Sequence, residues 1–382
     1  MQRYVFQAHK FDAIKLPVIV EKKTKQWVDF GEKNLYPDLL INLLNTSAIH
    51  HTCVESKQDA IYGEGFKNYG ETILNSEDET LNEVFEKIVK DYVVFGGYAL
   101  NIIWSRDGSK IAEIYHIPFD HVRSGKMNDD DKIDSYWYCS DWARFRQNPP
   151  IEYRAYSSTE NRGDNASQIY YCFDYTLGQS FYPLPAYVGA INDIDIDARV
   201  SRFHSSNLSN GLAPSMLLTF RNGIPSEDEQ DQIWRDINDT FAGEDNAGRA
   251  FINFSEPGRE PTLTPIENAN DDFYVTLEQR IMSRILTAHR ITSPKLLGVV
   301  DPSGFSSNAE EIQTAFNHFL GTVIIPDQKK LTKSLKKILR AFGLNVTLEI
   351  EQTTIMYTVD VEEVVEEDIQ DTVEDTIETN QE

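Results

Sequence analysis

Hydrophobic residues recur at helical spacing in the first hundred residues. The pattern predicts a helix that starts at Pro37, a second helix over Ser47–Ile61 and an amphipathic third helix over Thr80–Val94. The second segment is followed by Gly63 and the third by Gly96, as is typical of helix C-termini, which favour a residue that tolerates a left-handed backbone. The chain is therefore predicted to open with helices.

After Gly97 the period of the pattern changes from that of a helix to that of a strand. Tyr98–Trp104 and Ile111–Tyr115 flank the turn Arg106–Ser109, whose Asp-Gly pair is typical of a hairpin. Three further short aromatic-rich strands are predicted: Ser135–Cys139, Ile151–Tyr156 and Gln168–Phe173. Residues 1–182 are thus predicted to form an α+β unit with its helices first and a mostly antiparallel sheet after them.

The prolines of Tyr182–Pro185 separate this unit from the rest of the chain. Long helical patterns cover Ala186–Asn207 and Asp271–Arg290, and a small α/β segment lies between them. That segment and the region after Arg290 contain these further predicted elements: strand Ser215–Phe220, helix Ser226–Phe241, strand Arg249–Phe254, helix Asn308–Leu320, helix Pro326–Phe342 and the strand pair Val346–Ile350 and Thr354–Tyr357.

Charge and composition narrow the class of protein. The 382 residues carry a net charge of −25, which argues against a tight electrostatic grip on nucleic acid. The stretch from Asp360 to Glu382 holds 11 acidic residues and no Lys or Arg, so we expect it to be disordered. No run of 18 apolar residues and no signal sequence is visible, and three cysteines without paired spacing argue against a disulfide or zinc scaffold.

No catalytic motif for phosphate binding or hydrolysis occurs in the sequence. The string from Asp193 through Asp195 to Asp197 resembles part of a metal loop, but the glycine and terminal glutamate of a calcium loop are missing. On a helix, Asp193 and Asp197 share one face and Asp195 points elsewhere. The eight histidines are scattered, which is typical of structural residues. We therefore predict neither a metal site nor a cofactor.

The basic residues cluster once, on the predicted helix Pro326–Phe342. The face comprises Lys329, Lys330, Lys333, Lys336, Lys337 and Arg340, opposite an apolar stripe. Three interpretations remain open: a solvated face opposite the core, a contact with phosphates, or a contact with the acidic tail.

The order of elements from Tyr36 to Pro326 resembles the portal proteins of tailed bacteriophages, in the branch typified by HK97. The pieces that carry the resemblance are Tyr36-Pro37, Gly63-Glu-Gly65, Phe95–Asn101, Ile114–Pro118, Phe203-His204, Asn210–Ser215, Asn246–Gly248, Leu286–Gly298 and Phe305–Glu310. Each piece is short, and their order and spacing together are specific.

The resemblance implies a multi-region portal fold that assembles as a ring. Carried onto this chain, it gives residues 1–182 as the wing, 183–212 as the first stem helix, 213–270 as the clip and 271–291 as the second stem helix. Residues 292–307 correspond to the tunnel loop. Residues 308–358 correspond to three regions together, the tunnel helix, the returning wing and a short crown, and residues 359–382 form the acidic tail.

The resemblance also implies a non-enzymatic function. Twelve copies would surround a DNA channel at one capsid vertex, for packaging and ejection, in the virion and in the host cytoplasm during assembly. The implied partners are other copies of the chain, double-stranded DNA passing without sequence preference, the terminase large subunit, a head-tail adaptor and the major capsid protein, without a membrane. The tunnel-loop residues near DNA would be Lys295, Asp301, Ser303 and Phe305.

The stem helices carry opposite charges that could meet between subunits. They are Asp193, Asp195 and Asp197 on the first helix and Arg280, Arg284 and Arg290 on the second. We hypothesise that these charges face one another across the ring interface. Two alternatives stay open: a metal-dependent hydrolase that uses the three aspartates, and a monomeric acidic adaptor whose tail binds basic partners.

Overall fold

The computed structural model describes residues 14, 16, 17, 19, 21–158, 167–209, 216–220, 226, 228–233, 250–254, 271–297 and 309–352. The predicted strand Thr354–Tyr357 and the acidic tail lie outside these residues. Within them, no helix has both the length and the hydrophobicity needed to cross a lipid bilayer.

The three predicted N-terminal helices are present: α1 (Tyr36–Thr46), α2 (Ala48–Tyr62) and α3 (Leu81–Phe95). Pro37 stands in the first turn of α1, where its missing amide hydrogen costs no helical hydrogen bond. The Ser47 side chain caps α2 by accepting a hydrogen bond from the amide of His50. Thr80 and Glu83 form a reciprocal capping box at the start of α3. Local sequence chemistry thus determines where α2 and α3 begin.

The helices lead into a sheet of six strands in the order β2-β1-β6-β5-β4-β3. The strands are β1 (Gly97–Trp104), β2 (Ile111–Ile117), β3 (Val122–Ser124), β4 (Ser135–Tyr138), β5 (Ile151–Ala155) and β6 (Ser167–Phe173). All neighbouring strands are antiparallel except β5 and β6, which are parallel. The predicted α+β unit with a mostly antiparallel sheet is therefore confirmed.

The second half of the chain begins with α4 (Ile191–Ser209), which follows a 3-10 turn at Val188–Ala190. The long helix predicted from Ala186 therefore starts five residues later. Then come β7 (Met216–Phe220), α5 (residues 228–233) and β8 (Ala250–Phe254), and β7 pairs with β8 in parallel. This arrangement fits the predicted small α/β segment.

The last helices are α6 (Asp271–His289), α7 (Ala309–Phe319) and α8 (Ile325–Phe342). Five residues in π-helical conformation, Leu320–Ile324, join α7 to α8. The predicted helices Asn308–Leu320 and Pro326–Phe342 therefore form one continuous helical stretch. Pro326 lies in the first turn of α8, directly after the π-helical residues that join α8 to α7.

The prediction of a strand over Val346–Ile350 was wrong. Residues 349–351 instead lie antiparallel to the loop after α2, where Glu64 N donates to Glu351 O (2.8 Å) and Glu351 N to Gly65 O (2.9 Å). Gly63 has a φ of +60°, and a Cβ there would overlap the carbonyl oxygen of Glu351. A glycine is therefore needed where the C-terminal segment meets α2.

One hydrophobic core unites these elements. It includes α1 to α3, the sheet, the facing sides of α4 and α6, and the apolar stripe of α8. On α8, Leu331, Leu335, Ile338 and Leu339 are each at most 2% exposed. The hydroxyl groups of Tyr98 on β1 and Ser334 on α8 are 2.5 Å apart. The last helix is therefore an integral part of the N-terminal unit.

Candidate functional site

The two long helices α4 and α6 pack against each other in antiparallel orientation. Arg284 Nη1 lies 3.2 Å from Asp193 Oδ1, and His204 Nε2 lies 3.5 Å from Glu278 Oε1, so contacts later in α4 meet residues earlier in α6. The facing apolar residues are buried: Ile191, Ile194 and Ala198 on α4, and Ile281, Ile285 and Leu286 on α6. The chain therefore contains the pair of long helices that its sequence predicted.

The three aspartates of α4 each have a different partner within the chain. Asp193 contacts Arg284, Asp195 Oδ2 accepts a hydrogen bond from Arg199 Nε at 2.6 Å, and Asp197 Oδ2 accepts one from the Ser47 hydroxyl at 2.6 Å. They do not converge on one point. Among the described residues, no group of three or more His, Cys, Asp or Glu side chains is placed to hold a metal ion.

Two of the three predicted arginines, Arg280 and Arg284, lie on α6, whereas Arg290 follows the last residue of that helix, His289. Arg284 is 72% exposed beside Asp193, so most of its guanidinium group faces solvent. Arg290 has a left-handed backbone and donates from Nη2 to the carbonyl oxygen of Thr322 at 3.0 Å. Arg280 is exposed and makes no ion pair with any described residue. A contact of these charges across subunits stays a prediction.

Side-chain contacts join the two long helices, and the turn before the first of them, to the N-terminal helices α2 and α3. Ser47 caps α2 and also donates to Asp197 on α4, which fixes the start of α2 beside α4. Nearby, His50 Nδ1 lies 2.9 Å from His289 Nε2 at the end of α6, and both histidines are buried. The Tyr187 ring stacks on His289 and donates its hydroxyl to Val94 O at 2.7 Å. This cluster connects the N-terminal unit to the helix pair.

The histidine pair has a defined protonation requirement. A hydrogen bond between two ring nitrogens needs one donor and one acceptor, so the pair cannot be doubly protonated and keep this contact. Burial, with a smaller contribution from His51, lowers the pKa of His50 to about 4. Burial also lowers the pKa of His289, assisted by His50 and Lys57. Both rings are therefore neutral at pH 7.

A second buried cluster fixes the start of α8. Lys57 Nζ on α2 lies 3.1 Å from Asp327 Oδ2, and these side chains are 7% and 12% exposed. The Tyr92 hydroxyl on α3 donates to Asp174 at 2.7 Å and also lies 3.2 Å from Asp327 Oδ1. Lys330 lies 2.6 Å from Asp174 at the surface. Three helices and the segment after β6 thus meet at one carboxylate.

Most of the predicted tunnel loop, residues 298–307, lies outside the described residues. Lys295 lies in a short 3-10 helix, Pro294–Leu297, and its side chain is not described. Asp301, Ser303 and Phe305 lie outside the described residues. Their contact with DNA stays a prediction.

Sequence reasoning did not identify the two buried clusters. His50 and His289 are 239 positions apart, and Lys57 and Asp327 are 270 apart, so no local spacing links either pair. The one available signal was a charged or ionisable residue within an otherwise apolar helical stripe, and many residues share that signal.

A comparison with models of protein families identifies one family. The family model described as "Phage portal protein" matches residues 72–376, a range that extends into the acidic tail. No curated protein matches the sequence.

Three solved structures share the fold. A chain in the virion of the native gene transfer agent (GTA) particle is 16% identical with a TM-score of 0.53, and the match covers 82% of this chain and 83% of that one. A chain in the neck of the native GTA particle, computed with C12 symmetry, is 16% identical with a TM-score of 0.53 and coverages of 84% and 85%. A chain in the neck of the empty GTA particle, computed with C6 symmetry, is 15% identical with a TM-score of 0.50 and coverages of 82% and 83%.

Proposed function

The chain belongs to the phage portal protein family, and from that membership we propose that twelve copies form a ring at one vertex of a viral capsid. The family is a structural class, and the predicted α+β portal fold is confirmed by the match over residues 72–376 together with the shared fold. The single observation that carries the proposal is this match. The symmetric necks of the GTA particles support a closed ring.

The proposed task of the ring is to conduct double-stranded DNA during packaging and ejection. A channel that lets DNA slide needs weak contacts, because strong phosphate binding sites would act as barriers to movement. The net charge of −25 suits such a channel, since acidic walls repel phosphates and keep the duplex centred. We assign Lys295, Asp301, Ser303 and Phe305 to the loop that approaches the DNA.

The proposal includes partners and location. The segment between α4 and α6 would bind the terminase large subunit and later a head-tail adaptor, and the N-terminal unit would contact the major capsid protein. The protein would assemble in the host cytoplasm and remain in the virion. The structural similarity to a chain of the GTA virion supports the second location.

The subunit interface is proposed to run along α4 and α6. Both helices expose large apolar residues, Ile196 at 39% and Val275 at 53%, which a neighbouring subunit would cover. Arg280 and the exposed part of Arg284 are available for the carboxylates of an adjacent α4. Such head-to-tail contacts close into a ring when the rotation between subunits divides a full turn.

The mass of the particle in solution tests the ring directly. Twelve chains of 43.7 kDa form a particle of about 520 kDa, held by repeated heterologous contacts. We expect size-exclusion chromatography with light scattering to give this mass at micromolar concentration. A mass of one chain at every concentration tested would refute the ring and leave the monomeric adaptor as the better description.

Charge reversal at Arg284 tests the interface. The variant Arg284→Glu puts a carboxylate opposite Asp193, and it should lower the free energy of unfolding by less than about 1 kcal/mol because the pair is exposed. It should also reduce the fraction of chains found in rings by native mass spectrometry. The swap Asp193→Arg with Arg284→Glu restores the pair within the subunit, so assembly that stays weak in the swap assigns Arg284 to a neighbour. Unchanged ring mass in the single variant would contradict the interface.

A further inference from the structure

The final helix carries a strongly basic face on an otherwise acidic molecule. Helix α8 has six Lys or Arg residues and one acidic residue, Asp327, which is buried against Lys57. The apolar stripe of α8 is buried in the core, so the lysines and the arginine lie on the side of the helix that faces solvent.

Five of the six cations have no counter-charge in the described part of the chain. Among the described residues, Lys330 alone of the six is paired, with Asp174 and Asp327. The remaining five, Lys329, Lys333, Lys336, Lys337 and Arg340, which we call the basic face, make no ion pair with any described residue. Like charges four residues apart on a helix repel each other, so an acidic partner would stabilise α8.

The last residue described before the acidic tail, Gln352, lies at the N-terminal end of α8, the helix that carries the basic face. Gln352 Nε2 donates to Gln328 Oε1 at 2.9 Å, and Gln328 lies in the first turn of α8. The pairing of residues 349–351 with the loop after α2 holds the chain at the same place. The polypeptide therefore continues toward its tail from the N-terminal end of the basic face.

The tail is long enough to cover the whole face. Asp360 lies eight positions after Gln352, and an extended chain spans up to about 29 Å over eight positions. From Gln328 to Arg340 the helix rises about 18 Å. The 11 acidic residues from Asp360 to Glu382 can therefore lie along all five cations without help from another subunit.

We propose that residues 360–382 dock on the basic face of α8 in their own chain. One exposed ion pair contributes less than about 1 kcal/mol, but five cations facing a segment with no cation of its own form a multi-point contact that salt weakens. The docked tail denies the face to other polyanions, including duplex DNA. The proposed contact lies within one subunit, so it does not depend on whether the subunits form a ring.

Zero-length carbodiimide cross-linking of the full chain tests the contact. At 50 mM NaCl we expect tail carboxylates to link to Lys329, Lys333, Lys336 and Lys337 at least about fivefold more often than to Lys23, Lys110 and Lys132, which are exposed elsewhere. The preference should disappear at 500 mM NaCl. Equal linking to both sets of lysines, or no linking to α8, would overturn the proposal. In a mixture of isotopically heavy and light chains, links between the two labels would overturn docking within one chain.

Binding of duplex DNA at 50 mM NaCl provides a second readout. A chain that ends at Val359 should bind a short duplex about tenfold more tightly than the full chain, because the basic face is uncovered. The triple change Lys329→Gln, Lys333→Gln and Lys337→Gln in the shortened chain should remove this gain, whereas Lys23→Gln, Lys110→Gln and Lys132→Gln should retain most of it. Equal DNA affinity with and without the tail would contradict the proposal.

Discussion

The variant Asp327→Asn is expected to lose about 3–5 kcal/mol of folding free energy, the cost of leaving a buried charge without its partner. Asparagine keeps the size of the side chain but removes the charge that lies 3.1 Å from Lys57 Nζ. Lys57 is 5% exposed and contacts no other described carboxylate, so water cannot replace the lost interaction. Urea unfolding followed by tryptophan fluorescence measures the change.

Two further variants define the cause of that loss. The double change Lys57→Met with Asp327→Leu removes both charges and should recover most of the stability, because apolar residues of similar volume often replace a buried pair without cost. The exposed pair of Asp195 and Arg199 supplies the matched control: Asp195→Asn should cost less than about 1 kcal/mol. An Asp327→Asn protein within about 1 kcal/mol of the parent would show that Lys57 is not buried as described.

Acidification from pH 7 to pH 5 is expected to remove about 2 kcal/mol of stability through His50 alone, given its lowered pKa of about 4. The unfolded chain binds a proton on this residue near pH 6.5, whereas the folded chain resists it until about pH 4. Stability is therefore full above pH 7 and falls as the pH drops through this interval. His289, whose pKa is also lowered, adds to the loss in the same direction.

The groups around the pair determine the size of this effect. His51 and Lys57 on α2 oppose a positive charge there, Asp197 on α4 is bound to Ser47, and Tyr187 covers the rings from the turn before α4. The double variant His50→Phe with His289→Leu should show a smaller drop in unfolding free energy between pH 7 and pH 5, by about 2 kcal/mol or more. His318 is exposed on α7, and His318→Gln should leave the drop unchanged. An identical pH dependence in the parent and the double variant would contradict the protonation requirement.

Sequence periodicity predicted individual helices and strands well, because the spacing of apolar residues within one element depends on that element alone. The predicted ranges began at Ser47 and Thr80, which the structure shows to be the caps of α2 and α3, and the Asp-Gly turn marked the hairpin of β1 and β2. The pair of long helices was predicted from apolar spacing, and its antiparallel packing follows from contacts such as that of Asp193 with Arg284.

The failures concern contacts between distant parts of the chain. The strand predicted at Val346–Ile350 was assigned a local partner, but the backbone hydrogen bonds of residues 349–351 are satisfied by the loop after α2, almost 290 positions earlier. The three stem aspartates have contacts within the subunit that the sequence did not indicate, and their contact with a neighbouring subunit stays a prediction. No local pattern reports which of several possible partners a residue will meet.

The pairing of residues 64–67 with 349–351 has a consequence for biosynthesis. The N-terminal unit cannot complete its core until α8 and the segment after it have left the ribosome. At about 5–20 residues per second, α2 waits roughly 15–60 s for them, and contacts of such high sequence separation also form slowly. Nascent chains therefore leave the apolar surface that α8 covers exposed during this period, in which a chaperone or a neighbouring nascent chain can bind it.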